Sequence, residues 1–354
     1  MANPILDIFN PKEMLAYVGG REYPAMLGEE LFPAVKLPDY DVSYIVGNGR
    51  KPVAASVSAF DSEAQIATRE AVTRFEMTLA IIKRKIKLKE QELIRLANPR
   101  SDAELTYMKD LIYNDVDLMV SAVRARIEAM RMEILATGEL NIDENGVDLS
   151  LDYGVPDAHR AMSVDWTGAD ADPIADITGW VRTLRADCGG TFARAITTGE
   201  VMSAILTSSA VRTAVYGADD GRLVTRAMLS ELLSSLGLPV IEVYDEGYRT
   251  ENAGGMGYTY HSYLPSGAFI ILPSGAELGR TVYAPTPEEI QLSGKDGVDS
   301  SDFGNVTAIV YEESADPVAT YTKASAVALP SFPLADMVFQ AKVIQPKAAE
   351  GSGE

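Results

Sequence analysis

One stretch constrains this chain more than any other. Leu105, Met108, Ile112, Val116, Met119, Val123, Ile127, Met130 and Ile134 recur at steps of three and four, the period of a single helix face. Ser101 with Glu104 gives a capping-box pattern at the start. Gly138 supplies a stop, and no proline intervenes. The spacing predicts one helix over 101–137, about 54 Å long at ~1.5 Å per residue. Globular helices average ~11–12 residues, so this length suits a spine across a wide, flat molecule better than a compact globule.

The segments before the helix are built differently. Residues 1–45 are rich in breakers (Pro4, Pro11, Gly19, Gly20, Pro24, Gly28, Pro33, Pro38) with short apolar clusters such as Ile5-Leu6 and Leu31-Phe32 between them. There is room for one helical turn near Lys12 to Val18 but not for a core. This reads as an extended arm that packs on another surface, because a mobile terminus would leave its apolar residues in water. Residues 46–89 read as a long β excursion, with Asp61 to Ala64 as a turn and strict charged/apolar alternation in Lys85-Ile86-Lys87-Leu88-Lys89. A hairpin of that length without a covering helix cannot bury its own faces.

After the helix, residues 139–152 form a hairpin about Asn145-Gly146, the strongest short signal for a type I′ turn. Asp172 and Pro173 open a further helix as N-cap and first residue, ended by Gly189-Gly190. The pattern then turns α/β. Strands are expected near 193–197, 239–244, 258–263 and 268–272, and helices near 199–209 and 224–236. The repeated Leu-Pro-Ser-Gly-Ala (Leu264 to Ala268, Leu272 to Ala276) reads as paired turns around one strand. The span 281–311 reads as loop-rich, 316–343 as two extended runs, and 347–354 as a polar tail.

Chemistry-bearing motifs do not support an enzyme. GxSxG, HExxH, Walker A and CxxC patterns are all missing. Cys188 at a helix end reads as a buried thiol, and His159 and His261 stand 102 residues apart. Asn141 to Asp152 partly matches a calcium loop, but its twelfth position is Asp and its flanks are strand-like, which favours the hairpin. The 354 residues include 47% apolar residues, enough for a sizeable core, and no apolar run reaches the ~18 residues of a membrane span. Met1 to Lys12 lacks a signal-peptide pattern. No cofactor or metal is implied.

Charge is distributed unevenly. The chain has 31 Lys and Arg against 51 Asp and Glu, a net charge of −20, which opposes nucleic-acid binding in bulk. Lys83, Arg84, Lys85, Lys87 and Lys89 nevertheless put five positive charges within seven residues. Residues 139–176 carry ten acids against Arg160 alone. Both could be plain solvated surfaces. Alternatively, the basic segment of one copy meets acidic surface on the next. Such a heterologous interface builds rings or lattices.

In this order, an arm, a long β excursion, an unusually long helix, a hairpin and an α/β lobe resemble the major capsid proteins of tailed bacteriophages, specifically the lambda-type capsid protein E family. The matching stretches are Arg21-Glu22-Tyr23-Pro24 with Leu31-Phe32-Pro33, Leu135-Ala136-Thr137-Gly138, Asp172 to Ile177, Tyr263-Leu264-Pro265, Asp316-Pro317-Val318 and Ala328 to Val343. The resemblance implies an α+β fold of the Hong Kong 97 type. It would have an N-arm (1–45), an E-loop (46–89), a peripheral domain (90–168 and 318–346) with the spine helix, an axial domain (169–317), and a disordered tail (347–354). It implies a structural protein that self-assembles into hexamers and pentamers of an icosahedral virion shell around double-stranded DNA, made in the host cytoplasm. Expected partners are other copies, a scaffold, a portal and a decoration protein, with DNA held only non-specifically and no membrane. Lys83, Arg84, Lys85, Lys87, Lys89, Phe32, Phe60 and Phe75 are the candidate inter-subunit contacts. An encapsulin-like compartment and an acidic hydrolase are the alternatives.

Overall fold

The computed structural model describes residues 10–47, 72–88, 92, 94, 101–217, 221–252, 256–275, 277–295, 298–299, 301, 303–313 and 319–345. The chain divides into two units. One comprises Met1–Ser43, Glu76–Met130 and Gly279–Ser331; the other comprises Tyr44–Phe75, Arg131–Leu278 and Phe332–Glu354. Residues 279–317, assigned from sequence with the axial part, thus group with the long helix.

The first unit is organised by one strand, β15 (Ala319–Ser331), thirteen residues long. Thr322 of β15 pairs with Ile86 of β4 (Ala80–Leu88) and with Val310 of β14 (Thr307–Glu313). A strand has two edges, so β4 and β14 lie on opposite sides of it. Beyond β14, β13 (Arg280–Ala284) takes up the rest of that edge, and β1 (Ala34–Lys36) runs parallel to β13. Strand β4 therefore has a partner along its whole length within its own chain. For residues 80–88 the uncovered ribbon read from sequence is corrected here, since alternation reveals a strand's two faces but not its neighbour; residues 48–71 of that reading, with the turn at Asp61 to Ala64, lie outside the described residues.

The N-terminal arm is also satisfied at home. Helix α1 (Pro11–Gly20) is longer than the single turn expected, because the breakers Asn10 and Pro11 serve as cap and first residue: Asn10 Oδ1 accepts from Glu13 N at 2.8 Å. A short α2 (Leu27–Leu31) follows. Both lie along α3 (Asp102–Thr137), the 36-residue helix, whose residues up to Met130 belong to this unit. Asp117 of α3 accepts from Tyr17 (2.8 Å) and Tyr23 (3.0 Å) and pairs with Arg21 (3.1 Å). Burial, together with that carboxylate, pushes the Tyr23 phenol well above its ordinary pKa. About two and three turns further along, Arg124 binds Glu29 at 2.8 Å, and buried Glu128 accepts from Gly28 N at 2.8 Å. Asp117→Ala would strand two phenols and a guanidinium together. Tryptic cleavage after Arg21 in the unassembled subunit is expected to rise several-fold, at a cost of about 1–3 kcal/mol in arm docking.

The second unit takes in residues 44–47 of β2 (Asp41–Gly47) and 72–75 of its partner β3 (Val72–Thr78), together with the end of α3, where Met132, Ile134, Leu135 and Ala136 are all buried. Gly138 closes the helix at φ +74°, with its N donating to Ile134 O at 2.8 Å. The hairpin β5 (Glu139–Glu144) and β6 (Val147–Asp152) turns at Asn145 (φ +52°) and Gly146 (φ +81°), as the sequence predicts. A five-stranded sheet follows in the order β7-β16-β12-β8-β9. Its strands are β7 (Arg160–Ala161), β8 (Arg194–Thr197), β9 (Val240–Val243), β12 (Ala268–Leu272) and β16 (Phe339–Lys342). β12 lies between the two Leu-Pro-Ser-Gly-Ala turns and is buried at all five positions, as a central strand covered on both faces must be.

Helices α4 (Pro173–Asp187), α5 (Gly199–Thr207), α6 (Ser209–Tyr216) and α7 (Arg226–Ser235) contribute Ile177, Leu184, Ile205, Val211 and Leu229 to the same core. Trp166, Trp180, Phe269 and Phe339 interlock at ring separations of 5.0–5.9 Å. Cys188 is buried, with Sγ donating to Asp336 O at 3.1 Å. His159 is buried against Phe339 with Nε2 3.2 Å from Asp187. A second ribbon, β10 (Gly247–Glu251) and β11 (Tyr258–Ser262), pairs only with itself among the described strands.

The loop-rich reading of 281–311 is corrected by β13, β14 and a short helix, α8 (Pro287–Leu292). Thr286 and Pro287 look like breakers but act as N-cap and first residue: Thr286 Oγ1 accepts from Glu289 N at 3.2 Å.

Candidate functional site

Period-two alternation divides β4 into two faces. Ile82, Arg84 and Ile86 are half-buried on one, while Ile81, Lys83, Lys85 and Lys87 are exposed on the other. The charge cluster is therefore not a single patch. Arg84 turns away from the lysines, and Lys89 lies outside the described residues.

Cross-strand register fills out the lysine face. Directly opposite Lys87 stands Tyr321, and opposite that Tyr311; beside Lys85 stand Lys323 and Ile309; beside Lys83 stand Ser325 and Thr307. The rings of Tyr311 and Tyr321 stack at 5.4 Å, and the Lys85 ammonium sits 4.6 Å from the centre of the Tyr321 ring. These aromatics escaped the sequence reading because they lie more than 220 residues further along. The available signal was the alternation Tyr321, Lys323, Ser325 within β15.

Helix α8 carries two carboxylates onto this sheet. Glu288 and Glu289 are only 7% and 5% exposed. Glu288 pairs with Lys323 and accepts from Ser325 Oγ at 2.9 Å. Glu289 pairs with Lys36 at 2.8 Å and accepts from Thr307 Oγ1 at 2.8 Å. Burial alone would raise the Glu288 pKa, but the bonds from Lys323 and Ser325 more than offset it and hold the carboxyl below its usual value. Lys323 is thus neutralised within the chain. Among the described residues Lys83 and Lys87 meet no carboxylate, and Lys85 rests on a ring.

The aromatic candidates fall elsewhere. Phe32 is 0% exposed inside its own unit, where its carbonyl accepts from Thr281 Oγ1 at 2.9 Å. It has no surface left for a neighbour, and its role as a contact residue is corrected accordingly. Phe75 is half-buried between Tyr44 (5.3 Å) and Tyr153 (5.3 Å), and Tyr153 in turn faces Phe332 at 6.3 Å. Its ring is thus engaged within the chain. Tyr44 OH accepts from Phe332 N at 3.3 Å, and burial raises its phenol to about 12. Phe60 lies outside the described residues.

None of these clusters resembles a catalytic centre. No group of three metal-ligating side chains occurs among the described residues, and no described helix is long and apolar enough to cross a membrane. The family model for phage major capsid protein E matches residues 12–343. The chain belongs to that family. Capsid protein E chains are structural, shell-forming components of the virion, so an acidic hydrolase or a cellular compartment shell is not favoured.

Solved structures agree on the fold. A putative prophage capsid protein from Escherichia coli CFT073 superposes with a TM-score of 0.61 at 15% identity, covering 94% of this chain and 99% of that one. A phage-related protein from Bordetella bronchiseptica RB50 gives 0.52 at 12% identity, covering 94% and 97%. No curated protein sequence matches. The architecture is the α+β, Hong Kong 97-type capsid fold.

Proposed function

We propose that this capsid protein E chain forms the hexamers and pentamers of an icosahedral head that encloses double-stranded DNA, assembled in the host cytoplasm with a scaffold and a portal. A decoration protein is a further partner on this reading, and DNA is held without sequence preference. The observation that carries it is the family match from residue 12 to residue 343. The first unit, with residues 279–317 included, would be the peripheral domain and the second the axial domain. The exposed lysine face of β4 would be one of the inter-subunit contacts.

Sedimentation of the purified protein tests this directly. Megadalton particles or capsomers are expected; a 38.2 kDa species at all concentrations would overturn it. Ionic strength gives a second test. Copies carrying −20 charges repel at long range, and raising salt from about 0.01 M to about 0.15 M shortens the screening length from ~30 to ~8 Å. Light scattering should therefore show assembly accelerating over that interval.

A further inference from the structure

We infer that the lysine face of β4 on one copy docks against the polar face of the β5–β6 hairpin on a second copy. This rests on the shell-subunit reading above and names the partner of the basic face. The hairpin's register puts Leu140 opposite Leu151 and Ile142 opposite Leu149 on one side, where Leu140 and Ile142 are buried. The other side presents Glu139 opposite Asp152, Asn141 opposite Ser150, and Asp143 opposite Asp148. Five acids and no base occupy residues 139–152.

Like charges directly opposite one another weaken a strand pair. At the base of the hairpin this is relieved, since Arg160 lies 3.8 Å from both Glu139 and Asp152. At the turn end, Asp143 and Asp148 are exposed and meet no cation among the described residues. The strand pair is complete except for a positive charge at that level.

Spacing supports the match. The two carboxylate pairs are four residues apart along the strand, roughly 13 Å at ~3.3 Å per residue. Lys83 and Lys87 are also four residues apart on one face of β4, at the same ~13 Å. Lys85 between them is held by the Tyr321 ring and would lie level with Asn141 and Ser150, whose side chains already bond each other at 2.7 Å. One terminal lysine would thus reach Asp143 and Asp148 while the other meets the pair that Arg160 partly balances. Because different patches meet, a docked pair still has one lysine face and one hairpin face free, and addition continues into rings and lattices. Phosphate is the other anion such a lysine row attracts, but the net charge of the chain opposes it.

Charge exchange tests the pairing. Lys83→Glu, Lys85→Glu and Lys87→Glu together should cut particle yield at least tenfold, as should Asp143→Lys with Asp148→Lys. Circular dichroism should show both subunits folded. Combining the two sets should restore most of the yield. Normal particles from either set alone, or loss of particles from the lysine set with no rescue, would overturn the pairing while leaving the shell reading intact. So would normal shells that retain less nucleic acid. Failure of the unaltered chain to form particles would instead strike the shell reading itself. Should a reversed variant not fold, co-assembly of Lys85→Cys copies with Ser150→Cys copies, the positions that stand level in the proposed docking, gives an independent readout. Oxidised particles should yield disulfide-linked dimers, which separately assembled single variants do not; equal dimer yields in mixed and unmixed particles would sink the proposal.

Discussion

Valine at position 138 is expected to destabilise the second unit by about 3–5 kcal/mol, enough to abolish most soluble, folded subunit. Gly138 has φ +74°, where an L side chain costs ~1–2 kcal/mol and a branched one more. Space is lacking as well. A Cβ there would sit 2.7 Å from Val155 Cγ2, 2.9 Å from an Arg160 guanidinium nitrogen and 3.1 Å from Gln340 Oε1. Gln340 is itself fixed, because its Nε2 donates to Ile134 O and Leu135 O at the helix end. Crowding of this kind adds ~1–3 kcal/mol. Gly146, with φ +81° and nothing within 4 Å of a built Cβ, is the control. Gly146→Ala should cost only about 1–2 kcal/mol. Urea unfolding of the unassembled subunits separates the two, and equal losses would mean the crowding at 138 is absent.

Acid should act on the first unit through Glu288. Its carboxyl titrates lower in the folded chain than its ordinary value of 4.5, so over that interval the unfolded state binds more protons than the native one. The stabilisation is therefore complete above about pH 4.5 and is lost as the pH falls through the lower folded value. Glu288→Gln should remove about 3 kcal/mol at neutral pH, since it leaves a mostly buried Lys323 without its counter-charge. Adding Lys323→Met should recover much of that loss, because a buried pair is worth less than either orphan costs. Denaturation midpoints between pH 3 and 7 give the check: a Gln variant with the same pH slope as the parent would place the acid sensitivity elsewhere.

The elements legible in the sequence are those whose signals are local. The 36-residue helix announces itself through its period and cap, and Glu104 N indeed reaches Ser101 Oγ at 3.2 Å. Asn145-Gly146 specifies its turn without help from the rest of the chain. Asp172 caps α4, accepting from Ala175 N at 3.0 Å. What escaped depended on distant partners or on residues with two uses. Pro11 reads as a breaker, and 281–311 as loop, until the helices that Asn10-Pro11 and Thr286-Pro287 start are seen. Phe32 looked available for a neighbour because its burial is not written in the residues beside it; its carbonyl is taken by Thr281, 249 positions away. The lysines of β4 were found, but not that Arg84 faces away from them or that Tyr321 supports Lys85. Those facts belong to a strand pairing, and pairing partners are not written beside the residues they select.

The central place of β15 has a consequence for biosynthesis. Strand β4 leaves the ribosome early, yet its sheet partner lies more than 230 residues behind it. Contacts closed over such separations form late. Until residues 319–328 emerge, the lysine row has no scaffold to hold it flat. A chain abandoned partway through translation would thus lack the face proposed above for docking between copies. Incomplete products would be left out of the growing lattice without any separate inspection step.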